Sequence, residues 1–429
     1  MTAIWSGIGW EVEVAAAIMS GVTIARWDQA RWDSDAAWSH TDTSLGDWLD
    51  ITCDAVVPWV ISAGSSEDDG VVTRWEAASL QLTLIGPGRR YDPWSGPYAG
   101  LLGPMLPIRV RARPVGETAW RSVFTGFVND DGFTYDPNGA DGAGTADLVA
   151  TDSTVILARA DTPERADQGQ GESAAARVGR ILDNGYWPAA ARDITGPGVA
   201  VKSTTLADAA WTMLLQVADT DLALMWVNRA GFLAYRSQAR VGSLPADQLA
   251  ARVMLCAPDP VPPGPPVRLA VEYQGTQPTI VRNRVSVSRQ VNEGAPEAST
   301  VTVDVPGSIA RYGPRAYTRT DLIHVDDAWS KRVANAIAIT GGFPSHAPAL
   351  ATLSSRADPA VVDLLLTIEP DALVEVTDME SGRWVCGPAG WSVTMHPDEV
   401  AGDVFFTDMT KWAAAGWDSS VWDTDKWGF

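Results

Sequence analysis

The chain has four histidines, the side chains most often used for acid–base catalysis and metal binding near neutral pH. A local catalytic or metal motif would place two of them a few residues apart. Here each lies in its own segment, at His40, His324, His346 and His396. An isolated histidine is more often a core or surface residue than a ligand. We therefore expect no catalytic and no metal-binding residue among them.

Paired carboxylates are the second possible source of chemistry, since glycoside hydrolases place two of them across a cleft. Adjacent acidic pairs occur at Asp68-Asp69, Asp130-Asp131 and Asp326-Asp327. In a chain this acidic, such pairs are usually solvated loop residues. The distance between carboxylates across a cleft is not visible in a sequence, so a wall-degrading hydrolase stays open as an alternative.

Asp136, Asn138 and Asp141 loosely resemble the ligand positions of a calcium-binding loop. The segment departs from the pattern because Ala140 occupies the fifth position and the turn glycine, Gly142, comes one residue late. A glycine-rich hairpin loop explains the segment better. The sequence also contains no G-x-S-x-G, H-E-x-x-H, C-x-x-C or phosphate-loop motif. We expect a protein that is not an enzyme and needs no cofactor.

Composition narrows the class of protein further. The 429 residues are enough for about three domains, and 46% of them are hydrophobic. The formal net charge of −21 disfavours a nucleic-acid reader and a binder of anionic membranes. There is no apolar run long enough for a membrane span and no secretion signal. Three scattered cysteines, Cys53, Cys256 and Cys386, exclude a disulfide scaffold and a thiolate zinc site.

Hydrophobic alternation predicts many short strands from about residue 45 to 160. Leu80, Leu82 and Leu84 alternate with polar residues, which is the period of a half-buried strand. The run Ile108–Arg113 alternates in the same way and places three arginines on one face. We expect these arginines to face solvent in the first place, or else the acidic patch of a partner. Turn-rich pieces between the strands favour an antiparallel barrel or sandwich.

The pattern becomes that of a small α+β domain over residues 161–257. Ser173 is placed to cap a helix. The threonines at 204 and 205 are placed to cap a second helix with the apolar stripe Leu206, Ala210, Met213, Leu214 and Val217. Apolar runs on both sides of Asn228–Gly231 predict a hairpin.

A proline-rich linker, residues 258–266, precedes a second β region. A helix from Asp326 to Thr340, ended by Gly341-Gly342, is predicted to interrupt that region. Its predicted strands are Val267–Tyr273, Val281–Val287, Val301–Val305, Val361–Ile368, Ala372–Thr377, Arg383–Cys386, Trp391–Met395 and Val404–Thr407.

Tryptophan is enriched, with 20 residues against eight each of Phe and Tyr. Near the chain ends tryptophans recur at five-residue intervals, often followed by Asp. Neither a helix nor a strand keeps that interval on one face, so the regularity implies either a repeating turn of its own or rings inserted singly into pockets. Wrapping of the chain's own domain, a sugar-binding platform and anchoring to a partner stay open. The candidate partner-docking residues are Trp27, Trp32, Trp412, Trp417, Trp422 and Trp427.

Several strings resemble the minor tail proteins of long-tailed phages of actinobacteria. They cover most of residues 45 to 240, and the Trp-Asp repeats at the chain ends fit the same group. The similar strings are Asp47–Asp54, Gly88–Gly100, Phe124–Phe127, Arg180–Ala189 and Trp226–Gly231.

The layout also resembles the tail-tip, or baseplate hub, family of phages. The resemblance implies a homotrimeric ring in which two barrels per chain give pseudo-sixfold symmetry and match the hexameric tail tube. It implies a place at the virion tail tip after assembly in the host cytoplasm. The implied partners are a distal tail or tube protein, a fibre or spike and the tape measure. DNA would pass without specific binding, through a lumen whose negative charge repels phosphates.

The predicted fold class is mainly β with an α+β insert: two β-barrel-like hub domains flank a small α+β domain, with Trp-rich terminal segments. The predicted division is an N-terminal extension at 1–44, a first barrel at 45–160, the α+β domain at 161–257, the linker at 258–266, a second barrel with one helix at 267–408 and a tail at 409–429.

Two further functions stay open beside the hub. A distal tail protein would form a hexameric ring, so the oligomeric state separates it from a trimeric hub. A host-carbohydrate-binding tail protein would use the tryptophan segments, and glycan binding by the C-terminal segment would favour it.

Overall fold

The structure is a computed structural model. The described residues are 3–5, 10–17, 48–68, 72–99, 102–139, 144–160, 165–185, 187–238, 249–256, 265–274, 281–290, 297–344, 347–378 and 382–409. Most of the proline-rich linker and all six candidate docking tryptophans lie outside these ranges. They are Trp27, Trp32, Trp412, Trp417, Trp422 and Trp427.

Within the described residues, the first barrel-like domain contains the strands β1 (Ala3–Trp5), β2 (Trp10–Ala17), β3 (Trp48–Asp50), β4 (Ala55–Asp68), β5 (Val72–Trp75), β6 (Ser79–Ile85), β7 (Pro107–Pro114), β8 (Arg121–Asp136) and β9 (Thr145–Asp152). Six of them form an antiparallel sheet in the order β2-β7-β8-β9-β6-β4, while β1 and β3 pair with β2 and β5 pairs with β4. The predicted alternation of β6 is confirmed, because Leu80, Leu82 and Leu84 are buried.

The first barrel begins earlier in the chain than its predicted start at residue 45. β2 pairs with β7 over most of its length, and its Val12 and Val14 are fully buried in the core. Thr52 bridges the gap between β2 and β4, since its hydroxyl accepts a hydrogen bond from the Val14 amide at 2.8 Å. The segment predicted as an extension, residues 1–44, therefore contains a barrel strand.

The second barrel is made of β17 (Leu249–Met254), β18 (Val267–Gln274), β22 (Leu350–Ser354), β23 (Leu373–Thr377), β24 (Arg383–His396) and β25 (Glu399–Asp408). It closes on itself in the order β24-β23-β17-β18-β22-β25, because β24 pairs with both β23 and β25. β24 also pairs with β4 from Gly390 to Met395. The two barrels thus share one continuous sheet.

An α+β layer follows the first barrel. It contains α1 (Thr154–Arg159), β10 (Arg165–Gln168), β11 (Glu172–Ser173), α2 (Ala174–Asn184), β12 (Arg192–Thr195), β13 (Ala200–Val201), β14 (Thr204–Leu206), α3 (Ala210–Asp221), β15 (Leu224–Val227) and β16 (Leu233–Arg236). The Ser173 cap is confirmed, since its hydroxyl accepts a hydrogen bond from the Ala176 amide. The β15–β16 hairpin is confirmed as well.

The second predicted helix starts later than expected. Thr204–Leu206 is a strand, and α3 begins at Ala210 without a side-chain cap. The threonines pair with β10 instead, a partner more than 30 residues away that local capping signals do not reveal. The stripe from Ala210 to Val217 is buried as predicted.

A second α+β piece is inserted between β18 and β22. It contains β19 (Arg284–Gln290), β20 (Glu297–Asp304), α4 (Pro306–Tyr312), β21 (Ala316–Leu322) and α5 (Asp327–Gly341). Asp326 caps α5, and the predicted helix there is confirmed. Val285, Trp329 and Ile337 share a hydrophobic cluster with the first piece of the layer. The strands predicted at Val281–Val287 and Val301–Val305 therefore lie in this layer and not in the second barrel.

The predicted strand at Val361–Ile368 is wrong. Residues Val361–Thr367 form a helix, α6, whose start is fixed by Asp358, which accepts a hydrogen bond from the Ala360 amide at 2.9 Å. Five of its seven residues are buried on the barrels. A short apolar run has the same appearance in a sequence whether it forms a buried strand or a buried helix. Periodicity could therefore not separate the two. The remaining domain boundaries stay predictions.

Candidate interaction surfaces and the junction between the barrels

The three arginines of β7 form an ion-pair ladder with β2. Arg111 and Arg109 donate hydrogen bonds to Glu13 at 2.7 and 3.2 Å, and Arg113 donates to Glu11 at 2.5 Å. The expectation that this stripe faces solvent or a partner is wrong, because its charges are matched within the chain.

Tryptophans complete the same ladder. The Arg109 guanidinium lies 4.2 Å from the ring centre of Trp48, and that of Arg113 lies 4.5 Å from Trp120. Such stacking adds about 0.5–1 kcal/mol per pair at exposed sites. The ladder therefore holds β2, which is far from β7 in the sequence, against the first barrel.

The turn of the β15–β16 hairpin positions one arginine at the junction of the domains. Asn228 accepts hydrogen bonds from the amides of Ala230 and Phe232, and Gly231 adopts a positive φ of 84°, which suits glycine. The turn points Arg229 into the protein, where only 8% of it is exposed.

Arg229 connects three parts of the fold. Its guanidinium donates to the carbonyl of Val123 in the first barrel, at 3.3 Å, and to those of Leu365 and Ile368 at α6, at 3.0 and 3.1 Å. It also stacks 4.9 Å from the ring centre of Trp391 in β24. Burial lowers the pKa of Arg229 to about 10, opposed by the charge of Glu369, so the side chain is charged at neutral pH.

Glu369 balances this buried charge. It accepts hydrogen bonds from the Trp226 indole at 2.9 Å and from the Arg229 amide at 3.1 Å. Burial raises the pKa of Glu369, while Arg229 and these hydrogen bonds lower it. Both acceptor oxygens are occupied, so the carboxylate serves as a structural partner.

A small cavity lies beside this junction. Trp75, Trp226 and Trp391 line it together with Asp152. Its volume of about 20 Å³ is enough for a water molecule and too small for a sugar ring. Burial raises the pKa of Asp152 to about 6, against the hydrogen bonds of Thr154 and Ala78. Although a carboxylate and tryptophans meet here, the cavity is too small to hold a glycan.

His324 is a core residue of the α+β layer. It is fully buried, its Nε2 lies 2.6 Å from the Ser330 hydroxyl, and it forms a bridge with Val201 of β13. Burial, and then the charge of Arg289, lower its pKa to about 4, while Asp326 and Asp327 oppose the shift.

We expect the protein to lose stability in mild acid because of His324. Its folded pKa lies below the ordinary value of 6.5, so its contribution is complete above pH 6.5 and is lost as the pH falls through about 4. The full contribution is about 3 kcal/mol. Urea unfolding between pH 7 and pH 4 should show a smaller loss for His324→Gln than for the wild type.

The loop between β6 and β7 presents the most exposed large apolar side chain that the described residues contain. Trp94 is 79% exposed. Asp92 fixes the backbone around it by accepting hydrogen bonds from the amides of Trp94 and Ser95 and from the Ser95 hydroxyl. An edge contact with Tyr135, at 6.4 Å between ring centres, steadies the indole.

The base of this loop is anchored to the first barrel. Asp54 accepts hydrogen bonds from Arg90 at 2.6 Å and from the Tyr91 hydroxyl at 2.7 Å. At Gly96, a Cβ would come within 2.8 Å of three backbone carbonyl oxygens, so the tight fold of the loop requires glycine. The rigid loop and its exposed indole have the properties of an interface anchor.

Among the described residues, no group of three or more His, Cys, Asp or Glu side chains is arranged to hold a metal ion. No helix there is both long and apolar enough to cross a membrane.

Comparison with known proteins gives structural matches. No protein-family model and no curated protein matches the chain. The tail protein from Neisseria meningitidis MC58 superimposes with a TM-score of 0.57 at 12% identity, over 95% of this chain and 99% of that one. The chain has the fold of this tail protein.

Two other solved tail proteins match less well. The 43 kDa tail protein of prophage MuSo2 from Shewanella oneidensis has a TM-score of 0.48 at 12% identity, over 84% of this chain and 96% of that one. Prophage tail protein gp18 from Listeria monocytogenes has a TM-score of 0.43 at 9% identity, over 84% and 91%.

Three of the distinctive strings lie at structural contacts of this fold. Trp226–Gly231 forms the junction hairpin, and Gly88–Gly100 contains the Trp94 loop. In Phe124–Phe127, a Cβ on Gly126 would lie 2.3 Å from the Thr151 carbonyl oxygen of β9. These strings were recognisable in the sequence, but the contacts that explain them join distant segments.

Proposed function

We propose that the chain is a non-enzymatic structural subunit at the tip of a phage tail, where it acts as a hub. Three copies would form a ring that joins the tail tube and distal tail protein to a fibre or spike, next to the tape measure. DNA would pass through the ring without specific binding. The subunit would be assembled in the host cytoplasm and located at the virion tail tip.

The observation that carries this proposal is the rigid double barrel in a phage tail fold. The long strands β4 and β24 join both barrels into one sheet, and Arg229 ties them to the α+β layer. The fold agrees with that of a solved tail protein over nearly the whole length of both chains. A ring that transmits force from a fibre to a tube needs barrels that do not move independently.

Light scattering after size exclusion tests the proposal. A particle of three times the 45.8 kDa protomer mass supports the hub. A particle of six protomers would instead indicate the distal tail ring. A monomer at all concentrations would count against a self-assembling ring.

The tryptophan segments are proposed as the docking elements for other tail proteins, through Trp27, Trp32, Trp412, Trp417, Trp422 and Trp427. We expect Trp417→Ala with Trp422→Ala to reduce incorporation into tails, because aromatic anchors dominate interface energies. The melting temperature should stay unchanged. Normal incorporation in a complementation assay would refute the docking role.

Trp94 is proposed as a further anchor. We expect Trp94→Ala to weaken assembly by about 2 kcal/mol, or roughly 30-fold in the dissociation constant. The folding stability should change by less than about 0.5 kcal/mol because the ring is exposed. Sedimentation equilibrium measures the first quantity and urea unfolding the second. Val115→Ala, at a residue 52% exposed, is the matched control and should change neither.

A further inference from the structure

One part of this acidic chain is basic. The second α+β piece, residues 281–344, contains eight Lys and Arg against six Asp and Glu, a formal charge of +2 in a chain of −21. The rest of the chain therefore carries a formal charge of −23. Copies that met through this remainder alone would repel each other, because like charges across an interface are unfavourable. The second α+β piece is the part on which a further copy can meet opposite charge.

Two arginines of this piece are exposed at one corner. They are Arg311 in α4 and Arg315 in the turn before β21, and we call them the basic corner. Neither forms an ion pair with a carboxylate in the described part of the chain, whereas the neighbouring Arg284 is paired with Asp304 at 2.9 Å. The arginines of β7 are matched within the chain, but the basic corner keeps its positive charge for a partner.

A buried asparagine fixes the backbone of the basic corner. The side-chain carbonyl of Asn283, which is fully buried, accepts a hydrogen bond from the Arg315 amide at 2.6 Å. Its amide group donates to the Ser308 hydroxyl at 3.0 Å and to the Gly313 carbonyl at 2.8 Å. A surface whose backbone is already fixed loses less conformational entropy when it binds.

The outer face of β8 and β9, on the first barrel, has the opposite charge. Asp136 and Asp147 are exposed there. Thr134 lies opposite Asp147 and two residues before Asp136, so both carboxylates point to the same side of the sheet. Their hydrogen-bond donors are neutral, the Asn138 amide and the Thr83 hydroxyl. We call Asp136 and Asp147 the acidic face.

The Trp94 loop borders the acidic face. Tyr135, whose ring contacts Trp94, directly precedes Asp136. An exposed aromatic anchor next to charged side chains is the usual composition of a protein interface, with its hydrophobic centre and polar rim. The basic corner has a similar composition, because the Arg311 guanidinium lies 5.2 Å from the ring centre of Tyr312.

The two surfaces lie on different parts of the chain. The acidic face belongs to the first barrel, and the basic corner belongs to the piece inserted into the second barrel. Contacts between unlike surfaces are head-to-tail, and such contacts can close into rings. We infer that the acidic face and the Trp94 loop of one copy dock on the basic corner of the next copy. The inference rests on the proposed ring.

A charge swap in the full-length protein tests this contact by sedimentation equilibrium. Arg311→Glu with Arg315→Glu, and Asp136→Arg with Asp147→Arg, should each weaken the trimer at least about tenfold, because like charges then face each other. The chain that carries all four substitutions should recover the wild-type dissociation constant, since it restores opposite charges. Melting temperatures should stay at the wild-type value because all four side chains are exposed.

The control is Arg356→Glu with Val115→Glu. These side chains are 62% and 52% exposed and lie outside both surfaces. The change adds a similar amount of negative charge and should leave the trimer unchanged. A loss of trimers in this control equal to that in the charge-reversed variants would mean that net charge, and not this contact, governs assembly.

The outcomes separate the inference from the proposed ring. Trimers of wild-type strength in either two-residue variant would overturn this contact and leave the ring in place. A four-residue variant that stays dissociated, with a wild-type melting temperature, would refute the pairing of these two surfaces. A wild type that is monomeric at all concentrations would overturn the ring itself. If duplex DNA at physiological salt retains the wild type but not the Arg311→Glu, Arg315→Glu variant, while both form equal trimers, the basic corner binds polyanions instead.

Discussion

Replacing Arg229 by Ala is expected to lower the free energy of unfolding by about 3–5 kcal/mol, because it removes a buried cation and leaves the acceptors of its charge-assisted hydrogen bonds buried without it. The change leaves the carbonyls of Val123, Leu365 and Ile368 without this donor. It also leaves the carboxylate of Glu369 without its opposite charge. Chemical unfolding at pH 7 measures the loss.

Arg229→Lys should fall between the wild type and Arg229→Ala. Lysine keeps the charge but lacks the planar fork that reaches three carbonyls at once. The control is Arg356→Ala, because the Arg356 side chain is 62% exposed and pairs with Asp398 on the surface. It should cost less than about 1 kcal/mol. Equal losses for Arg229→Ala and Arg356→Ala would mean that the junction contributes no more than a surface ion pair.

The elements that sequence reasoning found are those fixed by local signals. The alternation of Leu80, Leu82 and Leu84 defines β6, and the Ser173 and Asp326 caps mark two helix starts correctly. These signals lie within a few residues of the structure that they specify. α6 was missed because a run of seven residues is too short for its helical period to be told apart from a buried strand.

Pairings between distant segments were not predictable in this way. β2 reaches the first barrel through Glu11 and Glu13, about 100 residues before the arginines that bind them. The sequence showed the arginine stripe but not its partners. The second α+β piece joins the layer through contacts such as Trp329 with the Thr220 carbonyl, at 2.7 Å, which again join segments more than 100 residues apart.

For the candidate sites, too, the sequence showed local strings but not the contacts between distant segments. Trp94 belongs to a string that resembled tail proteins, but exposure of its ring is a property of the folded loop. Arg229 also lay in such a string, without any chemistry to mark it. Its importance comes from its burial and from its hydrogen bonds to three carbonyls. A sequence shows neither the burial nor the hydrogen bonds.

Charge is distributed unevenly in this fold. The chain has 32 basic and 53 acidic residues, and many arginines bind carboxylates that are far away in the sequence. Those of β7 hold β2, and Arg252 and Arg383 bind Glu375 between strands of the second barrel. Each of these pairs removes one positive and one negative charge, so the formal net charge of −21 belongs to the remaining carboxylates.

The second large effect is expected at Asp219 of α3. Its carboxylate, 2% exposed, accepts hydrogen bonds from Arg74 of β5 at 2.5 Å and from Arg319 of β21 at 2.7 Å. It therefore joins the first barrel and both pieces of the α+β layer. We expect Asp219→Ala to cost about 3–5 kcal/mol, because the guanidinium of Arg319, only 7% exposed, loses a partner.

Asp304→Ala is the matched control for this change. Asp304 pairs with Arg284, but both side chains are more than 40% exposed, so the expected cost is below about 1 kcal/mol. A double variant, Asp219→Ala with Arg74→Ala, should cost little more than Asp219→Ala alone, because the Arg74 interaction is already lost. Additive losses in guanidinium unfolding would show instead that Arg74 stabilises the fold through contacts other than Asp219. The bridge between the first barrel and the layer would then have to be carried by the Arg229 junction.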